Sequence, residues 1–270
     1  MIALAVAPVQ VRTSVELLRF QPQSIRTTQL FTALIAAAKR GGVDVTVTDT
    51  YQGGSDWLLL WGAGSPLRWP AMTAHLARGG HLITFDLAYW SRYEKFRVSI
   101  DGPHPEAWVM RKDWPNNRLK ADRIQTGTLW DPDGPVLVAG IGEKARVQYG
   151  AAIVDAWEQR MMAECRARGW TVQYRAKNST AIPIERALQG KSLVITWHSN
   201  VAVDAIRMGV PVVCTHGAAA AVCPSELPPS GPVPPLAAAL RDRFLANLAW
   251  FQWAPSEAGQ CWAFLREVLA

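Results

Sequence analysis

The sequence predicts an α/β fold built from two Rossmann-like parallel-sheet domains, and three observations carry that expectation. Apolar, β-branched runs alternate along the chain with stretches of helical periodicity, the pattern of βαβ crossovers. Asp131-Pro-Asp-Gly-Pro135 interrupts the alternation, because such a run can be neither helix nor strand interior. The alternation then begins again, and from Lys191 to Thr215 it tightens into strand, helix and strand with very short connections.

In the first half, Ile2 to Ala7 reads as a strand, and Val9 to Gln23 is open between strand and helix around SVELLRF. Ser24 is placed to N-cap a helix carrying Leu30, Phe31, Leu34, Ile35 and Ala38, which Gly41-Gly42 closes. Strands follow at Val43–Thr48, at Asp56–Trp61 and, after a helix over Arg68–Arg78, at His81–Asp86. From Leu87 to Leu129 the pattern weakens into a loop-rich insert, a feature that more often carries function than not.

The second half opens with a strand at Val136–Ala139 and the glycine-containing run Gly140-Ile-Gly142-Glu-Lys144-Ala-Arg146. A helix over Gly150–Arg168 should bury Ile153, Trp157, Met161 and Cys165, and a strand at Thr171–Tyr174 leads into Arg175-Ala-Lys177. After a short helix at Ile184–Leu188 comes the compact unit. Ser192–Trp197 is a strand, Ser199-Asn200 are N-cap residues, and Val201, Ala202, Ala205 and Ile206 have helical spacing. Gly209 stops that helix and Pro211–Cys214 is the next strand. Pro224–Pro235 is a proline-rich loop, and helices over Leu236–Trp250 and Pro255–Leu269 close the chain.

Composition bounds the function. At 270 residues, with 49% apolar and 19% charged, the chain has the balance of a folded globular protein of two domains. No apolar run reaches the roughly 18–20 residues of a membrane span, and MIALAVAPV lacks the basic start of a signal peptide. A cytoplasmic protein is expected. The four cysteines show no CxxC pair and the five histidines no HExxH, so free thiols and no structural metal are expected. A formal charge of +6 favours anionic partners. Of the 13 tryptophans, Trp61, Trp90, Trp114, Trp130 and Trp197 fall at strand ends or loops, where rings can stack on bases or sugars as well as pack.

Three strand ends of the second half carry cations or amide donors. These are Lys144 and Arg146, Arg175 and Lys177, and the His198-Ser199-Asn200 helix start. In a parallel sheet they share one edge, where cations and helix N–H groups suit a diphosphate; scattered surface cations and a plain N-cap are the alternative. Asp204 stands among apolar residues in the first turn of a helix packed on the sheet. It either answers the helix dipole or accepts hydrogen bonds from a ribose diol. Gly62-Ala-Gly64 lets backbone approach an anion, or simply turns. It lacks the rest of a dinucleotide fingerprint, and no GxxxxGK[ST] or GxSxG occurs, which excludes a Rossmann NAD site, a Walker ATPase and a hydrolase elbow.

The run S-N-V-A-V-D-A-I-R-M-G-V-P-V-V resembles the donor-site signature of GT-B fold glycosyltransferases, roughly (E/D)-A-x-x-x-G-x-P-V-(V/I). Asp204 takes the acidic position, and Ala205, Gly209, Pro211 and Val212 match after it. Asp stands where Glu is commoner, and the chain is short for the fold. The resemblance implies an acceptor-side domain over 1–130, with its loop-rich insert at 87–129, and a donor nucleotide-sugar domain over 136–235. Helices in 236–270 would cross back to the first domain. It implies Gly142 in a phosphate loop with Lys144 and Arg146, Asp204 on the ribose, and no metal or other cofactor beyond the nucleotide-diphosphate sugar. Compact versions resemble phage-encoded transferases, including ones that glucosylate hydroxymethylated bases in DNA, which would place the protein in a host cytoplasm.

The first half should then hold the acceptor and any base. Asp86, at the end of HLITFD, leads as general base, with His104 second and Asp101 and Asp49 behind; either of the first two can equally be a cap or turn residue. Arg92, Arg97, Arg111, Lys112, Arg118 and Lys120, with Trp114 among them, form a basic, aromatic stretch that suits an extruded base of DNA or is merely a solvated loop. Two other functions compete with transfer. A nucleotide-sugar epimerase would need clustered acid/base carboxylates, and a non-catalytic nucleotide- or DNA-binding module would bind without turnover.

Overall fold

The computed structural model describes residues 13–20, 24–177 and 182–270, so the strand expected at Ile2–Ala7 lies outside the described residues. Two sheets organise the chain. The first contains β1 (Ser14–Leu18), β2 (Asp44–Thr48), β3 (Trp57–Trp61), β4 (His81–Leu87), β5 (Phe96–Ile100) and β10 (Gln252–Trp253), in the order β10-β5-β4-β3-β1-β2. Strands β1 to β4 run parallel; at one edge β5 pairs antiparallel with β4, and β10 pairs antiparallel with β5. The second sheet is wholly parallel: β7 (Val172–Arg175), β6 (Val136–Ala139), β8 (Leu193–Thr196) and β9 (Val212–Cys214).

SVELL settles as β1 because both of its faces are covered. Val15 and Leu17 pack under α1 (Ile25–Arg40), whereas Leu18 joins Leu58, Leu60 and Leu82 beneath α2 (Trp69–Ala77) on the opposite face. Glu16 is also buried, and its carboxylate accepts from Thr48 Oγ1 at 2.9 Å, Gln52 N at 2.8 Å and Gly53 N at 3.2 Å. It fixes the loop that carries the chain from β2 across to β3. Helix α1 starts where Ser24 Oγ accepts from Thr27 N at 3.2 Å, and it buries Leu30, Phe31, Leu34 and Ala38.

The second sheet is covered on one face by α5 (Ala151–Ala167) and on the other by α7 (Val201–Arg207). The inner face of α5 is Val154, Trp157, Met161 and Cys165; the expected Ile153 lies one position out of phase and is 62% exposed. The expected phosphate loop is instead the short helix α4 (Glu143–Tyr149), with Gly142 at its N-cap.

The insert also holds regular structure. Besides β5 it contains α3 (Asn117–Ala121). Past the short helix α6 (Ile184–Leu188) and the second sheet, α8 (Ala238–Ala249) leads to β10 and α9 (Ala258–Leu269). The C-terminal segment thus returns to the first sheet: β10 pairs with β5, and Trp262 of α9 donates to Leu34 O at 2.8 Å while stacking on Trp57. No helix among the described residues is long and apolar enough to cross a membrane.

Candidate functional site

The carboxyl ends of strands from both sheets open on one cleft of about 830 Å³. This is where a parallel sheet leaves backbone groups and loop side chains free to meet a ligand. From the second sheet, β6 delivers Gly140 and Gly142, β7 delivers Arg175 and Lys177, and β8 delivers His198, Ser199 and Asn200. Two glycines allow this edge to close up. A Cβ on Gly140 would stand 2.4 Å from Tyr174 Oη, and one on Gly142 would press on the Lys177 stem at 3.0 Å.

Lys144 lines the same cleft from α4, whereas Arg146 does not. The expected phosphate role fails for Arg146 because its guanidinium is taken by Asp155, by Glu158 at 3.8 Å and by the carbonyl of Ile141. Arg175 donates to Ile182 O at 2.8 Å along the cleft wall. Lys177 Nζ is 3.5 Å from Ser199 Oγ, and desolvation followed by the nearby guanidinium groups of Arg92 and Arg97 lowers its pKa.

Ser199 rather than Asn200 turns its side chain to the start of α7. Ser199 Oγ accepts from Val201 N at 3.4 Å, and Ser199 N donates to Thr196 Oγ1 at 3.1 Å. Asn200 already has helical dihedrals and makes no side-chain cap, so its amide is left to the cleft. His198 is held neutral: burial first, then Lys177, brings its pKa down to about 4.

Asp204 faces the cleft from the first turn of α7 at 7% exposure. Burial raises its pKa to about 6 against the opposing pull of Arg92 and Arg207. Their Nη2 atoms lie 3.5 and 3.7 Å from its carboxylate. Arg92 belongs to the loop after β4, so this ion pair crosses the cleft.

The first half contributes Asp86, His104, Arg92 and Arg97. Asp86 Oδ2 accepts from Arg97 Nη2 at 3.2 Å and its Oδ1 from Leu87 N at 2.7 Å. Arg97 is buried on β5 and also donates to Pro103 O at 3.2 Å. His104 is enclosed, with Nδ1 3.3 Å from Tyr89 Oη and its ring 5.6 Å from that of His198. Burial first, then Arg97, lowers its pKa well below the ordinary histidine value. An imidazole so reluctant to take a proton is a poor general base, which weighs against the role expected for His104. Asp101 binds His81 and Leu82 N instead, and Asp49 pairs with Arg19; neither lines the cleft.

The basic stretch of the insert divides. Arg92 and Arg97 enter the cleft; Arg111, Lys112, Trp114 and Arg118 do not line it and have partners within the chain, and Lys120 is exposed away from it. Arg111 stacks on Trp108, Lys112 pairs with Glu267, and Trp114 is 8% exposed between Trp250 and Phe264. Arg118 lies on Trp253 and binds Glu257 and the carbonyl of Gln252. A ring covered on its faces cannot stack on a base. Two more of the flagged tryptophans are packed: Trp197 is buried, and Trp90, which lines the cleft, is 8% exposed with its indole N–H on Asp122 at 2.6 Å, whereas Trp61 and Trp130 are half-buried.

Sequence reading passed over Tyr89, Tyr93, Gln148 and Arg207, all of which line the cleft. The main-chain N–H groups of Tyr89 and Trp90 are held by the buried Gln252 Oε1, at 2.7 and 3.2 Å. Nothing local to Tyr89 announces that partner, since it arrives from β10. Among the described residues no group of three or more His, Cys, Asp or Glu is placed to hold a metal ion.

No protein-family model matches the chain, and no curated protein matches it by sequence. Among solved structures, the β-Kdo 2,7 transferase of Thermosulfurimonas dismutans KpsC matches with a TM-score of 0.50 and 12% identity, over 94% of this chain and 99% of that one. The β-Kdo 2,4 transferase of the same KpsC gives a TM-score of 0.49 and 9% identity, over 95% and 98%. A carbohydrate transporter from Acidothermus cellulolyticus 11B, in complex with myo-inositol, gives 0.24 and 11%, over 75% and 73%. At such identities the likeness is one of fold. The chain is an α/β protein with two parallel-strand sheets, similar in fold to the first of these glycosyltransferases.

Proposed function

We propose that the chain is a glycosyltransferase of GT-B arrangement, moving a sugar from a nucleotide-diphosphate donor to an acceptor hydroxyl. The carrying observation is the convergence of Lys144, Arg175, Lys177 and the Ser199-Asn200 helix start in one cleft, opposite Arg92 and Arg97. Residues 1–130 form the acceptor side, 136–235 the donor side, and 236–270 return to the first. The likeness of fold to a transferase supports this reading.

In this account the acceptor oxygen attacks the anomeric carbon and the bond from that carbon to the phosphate oxygen breaks. The diphosphate leaves with the electron pair. Lys144, Lys177 and Arg175 neutralise it, which such groups do strongly in a cleft that excludes much of the water. Asp204 holds the ribose diol. The acceptor proton passes to Asp86, the half-exposed carboxylate on the first-sheet wall; His104 instead positions Tyr89. Arg146 has no part.

The acceptor is proposed by class alone, a hydroxyl. A DNA base draws no support from Trp114, Arg111, Lys112 or Arg118, all of which are engaged elsewhere. Incubation with labelled nucleotide-diphosphate sugars tests the reading, with sugars and with DNA bearing or lacking hydroxymethylpyrimidine as acceptors. Transfer or slow donor hydrolysis is expected. Binding without turnover would point to a binding module, and interconversion of the sugar without release would point to an epimerase.

A further inference from the structure

The turn Gly62-Ala-Gly64 reaches the cleft only with Ala63 and Gly64, and at Gly62 the structure gives it a second task. Helix α1 covers one face of the first sheet and α2 the other, and β2 lies on the far side of β1 from β3. The chain therefore leaves β1 and β3 in opposite directions. Loops that diverge from neighbouring parallel strands leave a crevice at their carboxyl ends, the usual ligand position in an open α/β sheet. A cavity of about 220 Å³ sits there. It is lined at the end of β1 by Phe20, at the end of β3 by Trp61, by Ser24 and Thr27 of the α1 start, and by Arg68.

Arg68 is the informative group. One guanidinium nitrogen, Nη1, is fixed by the carbonyls of Trp61 and of Gly62, the latter at 2.8 Å. Its buried Nε has no hydrogen-bond partner among the described residues. No ion pair reaches it among the described residues; Asp86, the acid that acts on it, is held 3.2 Å from Arg97. Desolvation accordingly lowers the pKa of Arg68. Gly62 is shaped for this side chain, since its φ is +65° and a Cβ there would stand 2.8 Å from Arg68 Nη1.

Ser24 Oγ and Thr27 Oγ1 lie 2.9 Å apart, and Ser24 Oγ also accepts from Thr27 N. Their mutual bond uses one of their two O–H protons, and the other has no acceptor among the described residues. A desolvated cation with no counter-ion among the described residues, a hydroxyl donor and aromatic walls together describe an oxyanion site with an apolar rim. At about 30 Å³ per water, the space holds the equivalent of about seven waters. That suits a small molecule, not a whole nucleotide sugar.

We infer that this crevice is a second binding site, separate from the cleft, for a small ligand whose phosphate or carboxylate group meets Arg68 and the Ser24–Thr27 hydroxyls. The ligand's remaining atoms lie against Trp61. The wall between the two sites is the 62–64 turn, whose Ala63 and Gly64 face the cleft.

Titration of the full chain with sodium phosphate and, separately, sodium acetate tests the site through ¹⁵N–¹H spectra of the arginine Nε groups. The Arg68 signal is identified by its loss in Arg68→Lys. A saturable shift with either anion is expected, and the anion that produces it names the class of ligand. The shift should persist in Lys177→Met, which impairs only the cleft. It should weaken about tenfold in Ser24→Ala, the scale of one hydrogen bond to a charged group. Gly62→Ala, which crowds Arg68, should abolish saturation while other arginine signals stay in place. No saturable shift with either anion, or a shift that vanishes in Lys177→Met, overturns the inference. The proposed transfer reaction would survive that result, because it depends on Lys177 and not on Arg68.

Discussion

The guanidinium of Arg92, on the loop after β4, stands 3.5 Å from the carboxylate of Asp204 in the first turn of α7. This contact links the two walls of the cleft. It also occupies the group to which the ribose is assigned, so a bound donor must share or displace Arg92. Asp204→Asn keeps the shape and removes the charge. At neutral pH it relieves a desolvated carboxylate, so stability should change by less than about 1 kcal/mol. Donor affinity should fall roughly 10- to 100-fold, the scale of hydrogen bonds to a charged group. Paired calorimetric titrations and thermal melts read both. Unchanged affinity would remove Asp204 from the ribose role.

Acid should loosen the fold through the cleft histidines. An unfolded histidine titrates near 6.5, whereas folded His198 titrates at about 4. Between these values the unfolded chain binds a proton that the native state refuses, so stability falls with pH. His198 alone accounts for roughly 2 kcal/mol between pH 6.5 and pH 5. His104 acts in the same direction. Asp204 opposes them: its pKa rises from 3.8 unfolded to about 6 folded, so the native state takes up a proton as pH falls through that window. Urea unfolding at the two pH values should show a net loss of stability, and His198→Gln should reduce it. An equal loss in the variant would refute the assignment.

The C-terminal return should matter to the cleft as well as to stability. Gln252 is fully buried, and its Oε1 takes the N–H groups of Tyr89 and Trp90. Gln252→Leu strands two buried donors, each costing about 1–3 kcal/mol, and should lower transfer activity although Gln252 touches no substrate. Denaturant melts and steady-state kinetics on the folded fraction separate the two effects. Full activity in the folded variant would show that the loop holds its shape without this residue.

Trp262→Ala should cost about 3–5 kcal/mol, because the indole is 1% exposed, stacks on Trp57 and donates to Leu34 O. A loss below about 1 kcal/mol in urea unfolding would mean that α9 is not anchored to the first sheet as described.

Much of this was legible where local chemistry and tertiary packing agree. Ser24 caps α1, and the strand–helix–strand unit at 191–215 falls where its short connections predict, because its apolar runs are buried on both sides. The misses arise where distant partners decide. Phe96–Ile100 is buried at all five positions, Arg97 included, so it shows no alternation to mark a strand. Gln252–Trp253 is a strand only because β5 pairs with it. On α5 a shift of one residue exchanges Ile153 for Val154, which periodicity alone does not resolve. Trp114 and Arg118 look like an exposed basic stretch until Trp250, Trp253 and Phe264 arrive from far along the chain to cover them. Asp204 was singled out from its apolar neighbours, whereas Arg92, its partner across the cleft, could be placed only once the two sheets faced each other.

The most direct test of the central claim is calorimetric titration of a nucleoside diphosphate into the full chain and into Lys177→Met. The account predicts saturable binding that weakens about tenfold or more without the Lys177 ammonium, together with a shallower salt dependence. Absence of binding to the unaltered chain, or equal affinity in the two proteins, would contradict it.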